Sequence, residues 1–187
     1  MSIEALNNIL SRNSARMLTG PCPDQDVMKK VYQAAFRAPD HAWLRPSRFI
    51  EVTGKGLQKL SEIFERYAKE QFTDVSDEKL VAYKNAPFRA PMVLILLSNI
   101  QTHPKVPEIE QMLSTAAATQ NILLALNAYG FGGMWRTGKL ALNGDIGKYL
   151  GIPENQRVLG YLYVGTPEGN PKTLPDIDVE EFVSKWS

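Results

Sequence analysis

A chain of 187 residues with 44% apolar and 22% charged residues has enough apolar material for a core of its own, which excludes a disordered protein. A formal net charge of +1 gives no electrostatic reason to expect nucleic acid or an anionic membrane as partner, so any cationic function must sit in a few placed arginines. A single cysteine, Cys22, excludes an intramolecular disulfide and a multi-cysteine metal site, and two histidines, His41 and His103, exclude a multi-histidine one.

The residues Met1-Ser2-Ile3-Glu4 carry no basic segment followed by an apolar run, so no signal peptide is expected. Ile3, Leu6 and Leu10 recur at helical spacing behind Ser2, a good N-cap, and predict a short amphipathic helix. It runs into Ser11-Arg12-Asn13-Ser14-Ala15-Arg16, rich in hydrogen-bond donors. A second helix is expected from Asp24 through Val27, Val31, Ala34 and Ala35, closed by Pro39. Phe49 to Thr53 reads as a strand, and Leu57, Leu60, Ile63, Phe64 and Tyr67 mark a third helix. Ser76 to Asn85 reads as a fourth helix, stopped before Pro87.

Met92 to Ser98 is a continuous apolar run, which predicts a strand buried on both faces and is far too short to cross a bilayer. Cytoplasm is the expected compartment. Glu108 to Tyr129 reads as one long helix, almost uncharged after Glu110 and ended by Gly130, hence central. Its stripe of Ser114, Ala118, Asn121 and Ala125 admits either another backbone or a flat ligand, with core packing at least as good an account. Asn143 to Leu150 predicts a short helix capped by Gly151, and Val158 to Val164 the last core strand. Asp178, with Glu181 three residues on, predicts a final helix with Val179, Phe182, Val183 and Trp186 on one face. Several helices around few strands, without regular βαβ alternation, predict an α+β fold in one domain over residues 1–187.

The chain has no GxGxxG, Walker, GxSxG or HExxH pattern, so chemistry must come from polar residues in breaks between apolar elements. Arg12 and Ser14 offer a guanidinium fork and a hydroxyl of the kind that binds phosphate, though an exposed polar turn explains them as well. Gly130-Phe131-Gly132-Gly133-Met134-Trp135-Arg136-Thr137-Gly138 permits close ligand approach around Trp135 and Arg136, or equally a helix cap followed by a strand. Arg37-Ala38-Pro39-Asp40-His41 joins a cation, a rigid turn and a histidine, and His103-Pro104-Lys105-Val106-Pro107 reads as a loop entering the long helix. Cys22, between two prolines with no cation or base beside it, reads as structural.

Taken in order, these segments resemble the nitroreductase superfamily, in particular its short YdjA-like branch of compact NAD(P)H-dependent enzymes. The matching residues are Arg12 with Ser14-Ala15-Arg16, then Arg37-Ala38-Pro39-Asp40-His41 and Asn85-Ala86-Pro87-Phe88-Arg89-Ala90-Pro91. They continue with His103 and Lys105-Val106-Pro107, Gly130-Phe131-Gly132-Gly133 with Trp135-Arg136, and Gly160 with Leu162-Tyr163 and Gly165-Thr166-Pro167. The resemblance implies a nitroreductase-like fold, a central, mostly antiparallel sheet surrounded by helices, in a homodimer with flavin mononucleotide (FMN) at the subunit interface. It implies that Arg12, Asn13 and Ser14 meet the flavin's phosphate and ribityl end, that Trp135, Arg136 and Thr137 close over it from the same subunit, and that Arg37 and His41 reach it from the other. NADH or NADPH would then reduce the flavin, and a small oxidised acceptor would take the electrons in a ping-pong cycle. His41 is the best candidate for a general acid if one exists. A flavin-binding carrier or redox sensor without turnover is the alternative. Two departures stand out. Asn13 occupies a position where related sequences often carry a second arginine, and Arg45-Pro46-Ser47 replaces the usual glutamine-proline-tryptophan near the flavin edge.

Overall fold

The computed structural model describes residues 3–143 and 145–186. Helix α1, Glu4–Ser11, begins after Ile3, which offers no capping side chain; Ser2, the expected cap, lies outside the described residues. Strand β1, Leu18–Thr19, leads to helix α2, Gln25–Ala35, where the Asp24 carboxylate accepts a hydrogen bond from Val27 N at 2.9 Å and satisfies one of the free donors of the first turn. Strand β2, Ser47–Thr53, is followed by α3, Lys55–Gln71, and α4, Asp77–Lys84, the latter capped by the Ser76 hydroxyl. Strand β3, Met92–Asn99, precedes the long helix α5, Glu108–Ala128. Strand β4, Gly132–Arg136, two short helices, α6 (Lys139–Leu142) and α7 (Ile146–Leu150), and strand β5, Gln156–Pro167, follow.

Among the described residues every strand pairing is antiparallel. β5 pairs with β3 along one edge and with β4 along the other, β2 lies outside β3, and β1 pairs with the last two residues of β5. The alternation of β3 explains why its sequence is apolar without a break. Val93, Ile95 and Leu97 enter a core with Phe64 and Tyr67 of α3 and with Leu140 and Ile146, whereas Met92, Leu94 and Leu96 enter a second core with Val31 of α2 and Ile122 and Leu126 of α5. Burying each such side chain is worth about 1.5–3 kcal/mol, so the sheet centre is where the stability of the fold concentrates.

Four expectations need correction or refinement. The helix expected from Asn143 to Leu150 begins only at Ile146, as α7, because the backbone is extended at Asn143 (ψ 121°), where the separate helix α6 has just ended; α7 does end at Gly151 in the left-handed conformation, as its glycine predicts. The expected C-terminal helix is absent. The Asp178 side chain does accept from Glu180 N at 3.1 Å, but only a turn over Val179–Glu181 follows. Phe182 (76% exposed) and Trp186 (100%) are left largely to solvent, and a short helix without a packing partner is marginal in water. The stripe of Ser114 and Asn121 packs against backbone at and just past the end of α2: the Ser114 hydroxyl donates to Pro39 O and Asn121 Nδ2 to Ala34 O at 3.1 Å. Finally, α5 is central on one side only. Its opposite side leaves Ile109 (57%) and Leu113 (60%) exposed.

Candidate functional site

The glycine-rich segment after α5 forms strand β4, and its glycines set how closely its neighbours approach. A Cβ on Gly133 would lie 2.6 Å from Leu123 Cδ2, so the Leu123 side chain of α5 packs directly over the glycine and would have to turn aside for a larger residue. Trp135 is fixed by β5. The register between β3 and β5 shifts at Leu159, leaving it as a bulge whose carbonyl accepts from Trp135 Nε1 at 3.1 Å. The next residue, Gly160, has φ 140°, and a Cβ there would lie 2.3 Å from Trp135 Nε1 and 2.7 Å from Arg136 O.

Alternation along β4 sends its two key side chains to opposite faces of the sheet. Trp135 packs with the core of α2 and α5, while the Arg136 guanidinium lies 5.8 Å from the centre of the Tyr163 ring on the α3 side. There Arg136 and Thr137 line a cavity of about 380 Å³ together with Arg89, Lys139 and Tyr163. Burial pushes the Tyr163 phenol above its ordinary pKa, and the positive charges of Arg89 and Arg136 oppose that rise.

Arg12, Asn13 and Ser14 are half-buried in the segment between α1 and β1, which runs beside β4. Two asparagines moor its start: Asn8 Nδ2 donates to Leu124 O at 3.0 Å, and Asn127 Nδ2 to Asn8 Oδ1 at 2.9 Å and Ser11 Oγ at 3.3 Å. Its end is tied to β4 by Ala15 N donating to Gly133 O at 3.3 Å. Both tethers come from residues far along the chain, so the position of Arg12 depends on the folded core.

Arg37 lies elsewhere, in a cleft of about 760 Å³ beyond the end of α2 that also includes Phe36, Trp43, Arg45, Pro46 and Arg48. His41 borders this region with Nδ1 at 2.6 Å from Glu110 Oε2 at the start of α5, a contact that is a hydrogen bond in the neutral ring and an ion pair in the protonated one. Within a single chain the expected site residues therefore fall in four places: Arg12 to Ser14 beside β4, Trp135 on the α2 and α5 face, Arg136 and Thr137 on the α3 face, and Arg37 with His41 past α2. Among the described residues, none of Arg12, Arg37 and Arg136 forms an ion pair with a carboxylate.

Two sets of neighbours were missed by sequence reasoning about function. Arg48 and Trp43 in the cleft carry no motif, and the left-handed conformations of Ala42, Trp43 and Arg45 occur without a glycine to signal them. Lys139 beside Arg136 could have been found from its spacing just past the glycine-rich segment. His103 does serve its loop, accepting from Lys105 N at 3.2 Å through Nδ1. Among the described residues no cluster of histidine, cysteine and carboxylates could hold a metal ion, and no helix is long and apolar enough to cross a membrane.

The sequence pattern of the nitroreductase family matches residues 9–166. The chain is 33% identical over 183 residues to YdjA of Escherichia coli K12, an alignment covering 97% of this chain and 99% of that protein. It is 35% identical over 184 residues to a protein of Haemophilus influenzae, again covering 97% and 99%. Both relatives are named as candidate NAD(P)H nitroreductases. A nitroreductase of Bacteroides fragilis with bound FMN superposes with a TM-score of 0.74 at 23% identity, over 98% of this chain and 99% of that one. By sequence over most of its length, and with the fold in agreement, the chain belongs to the nitroreductase family.

Proposed function

We propose that this chain is a single-domain, FMN-dependent NAD(P)H oxidoreductase that works as a homodimer and reduces small oxidised acceptors of nitroaromatic or quinone type. The observation that carries this reading is the set of three arginines, Arg12, Arg37 and Arg136, held on structured segments without a carboxylate partner among the described residues, in a chain of this family. Guanidinium forks without counter-ions suit a phosphate dianion and the electron-rich edge of a reduced flavin, so the residues present fit FMN.

In this reading Arg12 and Ser14 hold the phosphate and ribityl end, with Asn13 as an uncharged donor between them. Trp135, Arg136 and Thr137 belong to the same subunit's half of the site, and Arg37 and His41 to the other's. When bound, FMN supplies a two-electron carrier between the nicotinamide and the acceptor. The protein's work is electrostatic: donors fixed before the reaction stabilise the negative charge that hydride transfer brings into the site. His41 is the imidazole available for proton delivery, and Glu110, by engaging Nδ1, leaves Nε2 as the nitrogen free to serve. The small net charge and the lack of a membrane-crossing helix among the described residues fit a cytoplasmic enzyme with neither nucleic acid nor membrane as partner.

The test is an absorption spectrum of the purified protein before and after anaerobic NADH and NADPH. Flavin bands that bleach with either nucleotide are the expected result. Flavin that refuses to bleach with both would favour a carrier or sensor, and a colourless protein that ignores added FMN would overturn the reading.

The dimer has its own support. Ile3, Leu6, Ile9 and Leu10 of the α1 region and Ile109 and Leu113 of α5 leave apolar side chains to water in a single copy, a pattern that marks an interaction surface. A two-fold axis would let α5 of one copy meet the same face of the other. Leu113→Glu places a charge in that contact, and light scattering should then report monomers at micromolar concentration together with loss of flavin. A variant that stays dimeric and yellow would remove this side of α5 from the interface.

A further inference from the structure

The cleft past α2 contains chemistry that the flavin set does not use. Its outer wall is the loop from Asp40 to Arg48, and three of its residues, Ala42, Trp43 and Arg45, have φ of 58°, 54° and 49°. Side chains other than glycine rarely accept that conformation, and it persists only where the surroundings over-determine it. Here three hydrogen bonds do so. Asp40 Oδ2 accepts from Arg45 N at 2.7 Å, Arg48 Nη1 donates to Arg45 O at 2.7 Å, and Gln101 Nε2 donates to Leu44 O at 2.6 Å.

The consequence is a particular display of side chains. Trp43 is 79% exposed at the mouth of the cleft, offering a flat apolar face that the core does not need. Asp40, the one carboxylate among the lining residues, is engaged by a backbone N–H, and the Arg48 guanidinium is engaged by backbone carbonyls. From α5, Ser114 is bonded to Pro39 O and Glu110 is taken by His41. That leaves the Arg45 guanidinium, beside Arg37 of the flavin set, as a cation with no carboxylate partner among the described residues, next to an aromatic platform and an open cleft.

We propose that Trp43 and Arg45 form a reactant subsite that selects planar molecules carrying a compact anionic group, a carboxylate or a phosphate monoester. The ring stacks on Trp43 and the anion meets the guanidinium fork. The proposal rests on the flavin reading above, because it makes the cleft around Arg37 the approach to the reacting centre. The anion has two possible sources: a carboxylate on the electron acceptor, or the 2′-phosphate that distinguishes NADPH from NADH.

The test compares the wild-type holoenzyme with Arg45→Gln and Arg45→Lys. These changes leave the Arg45 N–H to Asp40 and the Arg48 bond to the Arg45 carbonyl in place, so the loop should keep its shape. Calorimetry measures binding of benzoate, and of NADP+ against NAD+; kinetics measure the ratio of kcat/KM for 4-nitrobenzoate over neutral 4-nitrobenzyl alcohol. Arg45→Gln is expected to lower benzoate affinity and the kinetic ratio by about tenfold, the scale of one charge-assisted contact, with Arg45→Lys retaining part of it. A loss confined to NADP+ relative to NAD+ would also support the subsite and assign the anion to the hydride donor. If neither anion is disfavoured by Arg45→Gln in a variant that melts like the wild type, the proposal is overturned. Benzoate binding requires no turnover, so its outcome is separate from the spectrum that tests the flavin reading.

Discussion

Arg12→Ala is expected to yield a nearly colourless protein, with FMN affinity lower by roughly one to two orders of magnitude, because hydrogen bonds to a charged partner are worth about 1.5–3 kcal/mol. The size of the effect follows from placement. Among the described residues Arg12 has no carboxylate to neutralise it, and its segment is moored at both ends, by Asn8 and Asn127 to α5 and by Ala15 to β4. The backbone that carries it therefore loses little freedom on meeting a phosphate, and alanine forfeits the guanidinium's contact. Asn13, uncharged at the next position, cannot replace it. Equilibrium dialysis or flavin fluorescence reads the change, and an Arg12→Ala protein that keeps wild-type FMN affinity would remove Arg12 from the site.

Arg37→Ala extends the same experiment to the division of labour between subunits. Arg37 lies in the cleft past α2, whereas Arg12 sits beside β4, and a site at a two-fold interface can draw one from each copy. Arg12→Ala and Arg37→Ala subunits, each unable to retain flavin alone, should then regain it on mixing, since each mixed dimer contains one intact site and one doubly damaged one. If both arginines act within one chain, mixing restores nothing.

The sequence and the structure agree where local chemistry has one outcome. An unbroken apolar run such as Met92 to Leu97 can be satisfied only by a strand covered on both faces, and β3 is that strand. Asp24 and Ser76 mark helix starts because a side-chain oxygen at that position has a free N–H to receive. The glycines after α5 were ambiguous, because a helix cap with a strand start and a ligand loop need the same freedom of approach; the strand pairing with β5 decides for β4. The tail reads as a helix by pattern, yet a pattern promises only a face, and here Phe182 and Trp186 stay largely exposed. Least legible was the loop around Arg45. Its shape comes from Asp40, Arg48 and Gln101, which reach it from separate elements, and no residue in it advertises a left-handed backbone. The family's motifs located the groups beside β4 and past α2, but the opposite facing of Trp135 and Arg136 follows only from the β4–β5 register.

Gly160→Ala is expected to cost the most stability of any single methyl group added near the site. The new Cβ would lie 2.3 Å from Trp135 Nε1 and 2.7 Å from Arg136 O, and the second of these is backbone inside a strand pair and cannot move without breaking it. Overpacking of this kind costs about 1–3 kcal/mol, and forcing an L-residue to φ 140° adds about 1–3 kcal/mol more. The sum, roughly 2–6 kcal/mol, is a large share of the about 5–15 kcal/mol that holds a domain together. Gly133→Ala supplies the comparison. Its Cβ would lie 2.6 Å from Leu123 Cδ2, the end of a side chain that can change rotamer, so a smaller loss of about 1–2 kcal/mol is expected. Urea denaturation measures both. The two variants should also differ in the site itself, because relief of the Gly160 clash must turn the Trp135 indole off the Leu159 carbonyl it now bonds. Gly160→Ala should therefore change tryptophan emission and lose FMN even at temperatures where it remains folded, while Gly133→Ala should keep both. If Gly160→Ala proves as stable and as yellow as the wild type, the bulge at Leu159 relaxes far more easily than its contacts imply, and the indole is not the fixed wall of the site.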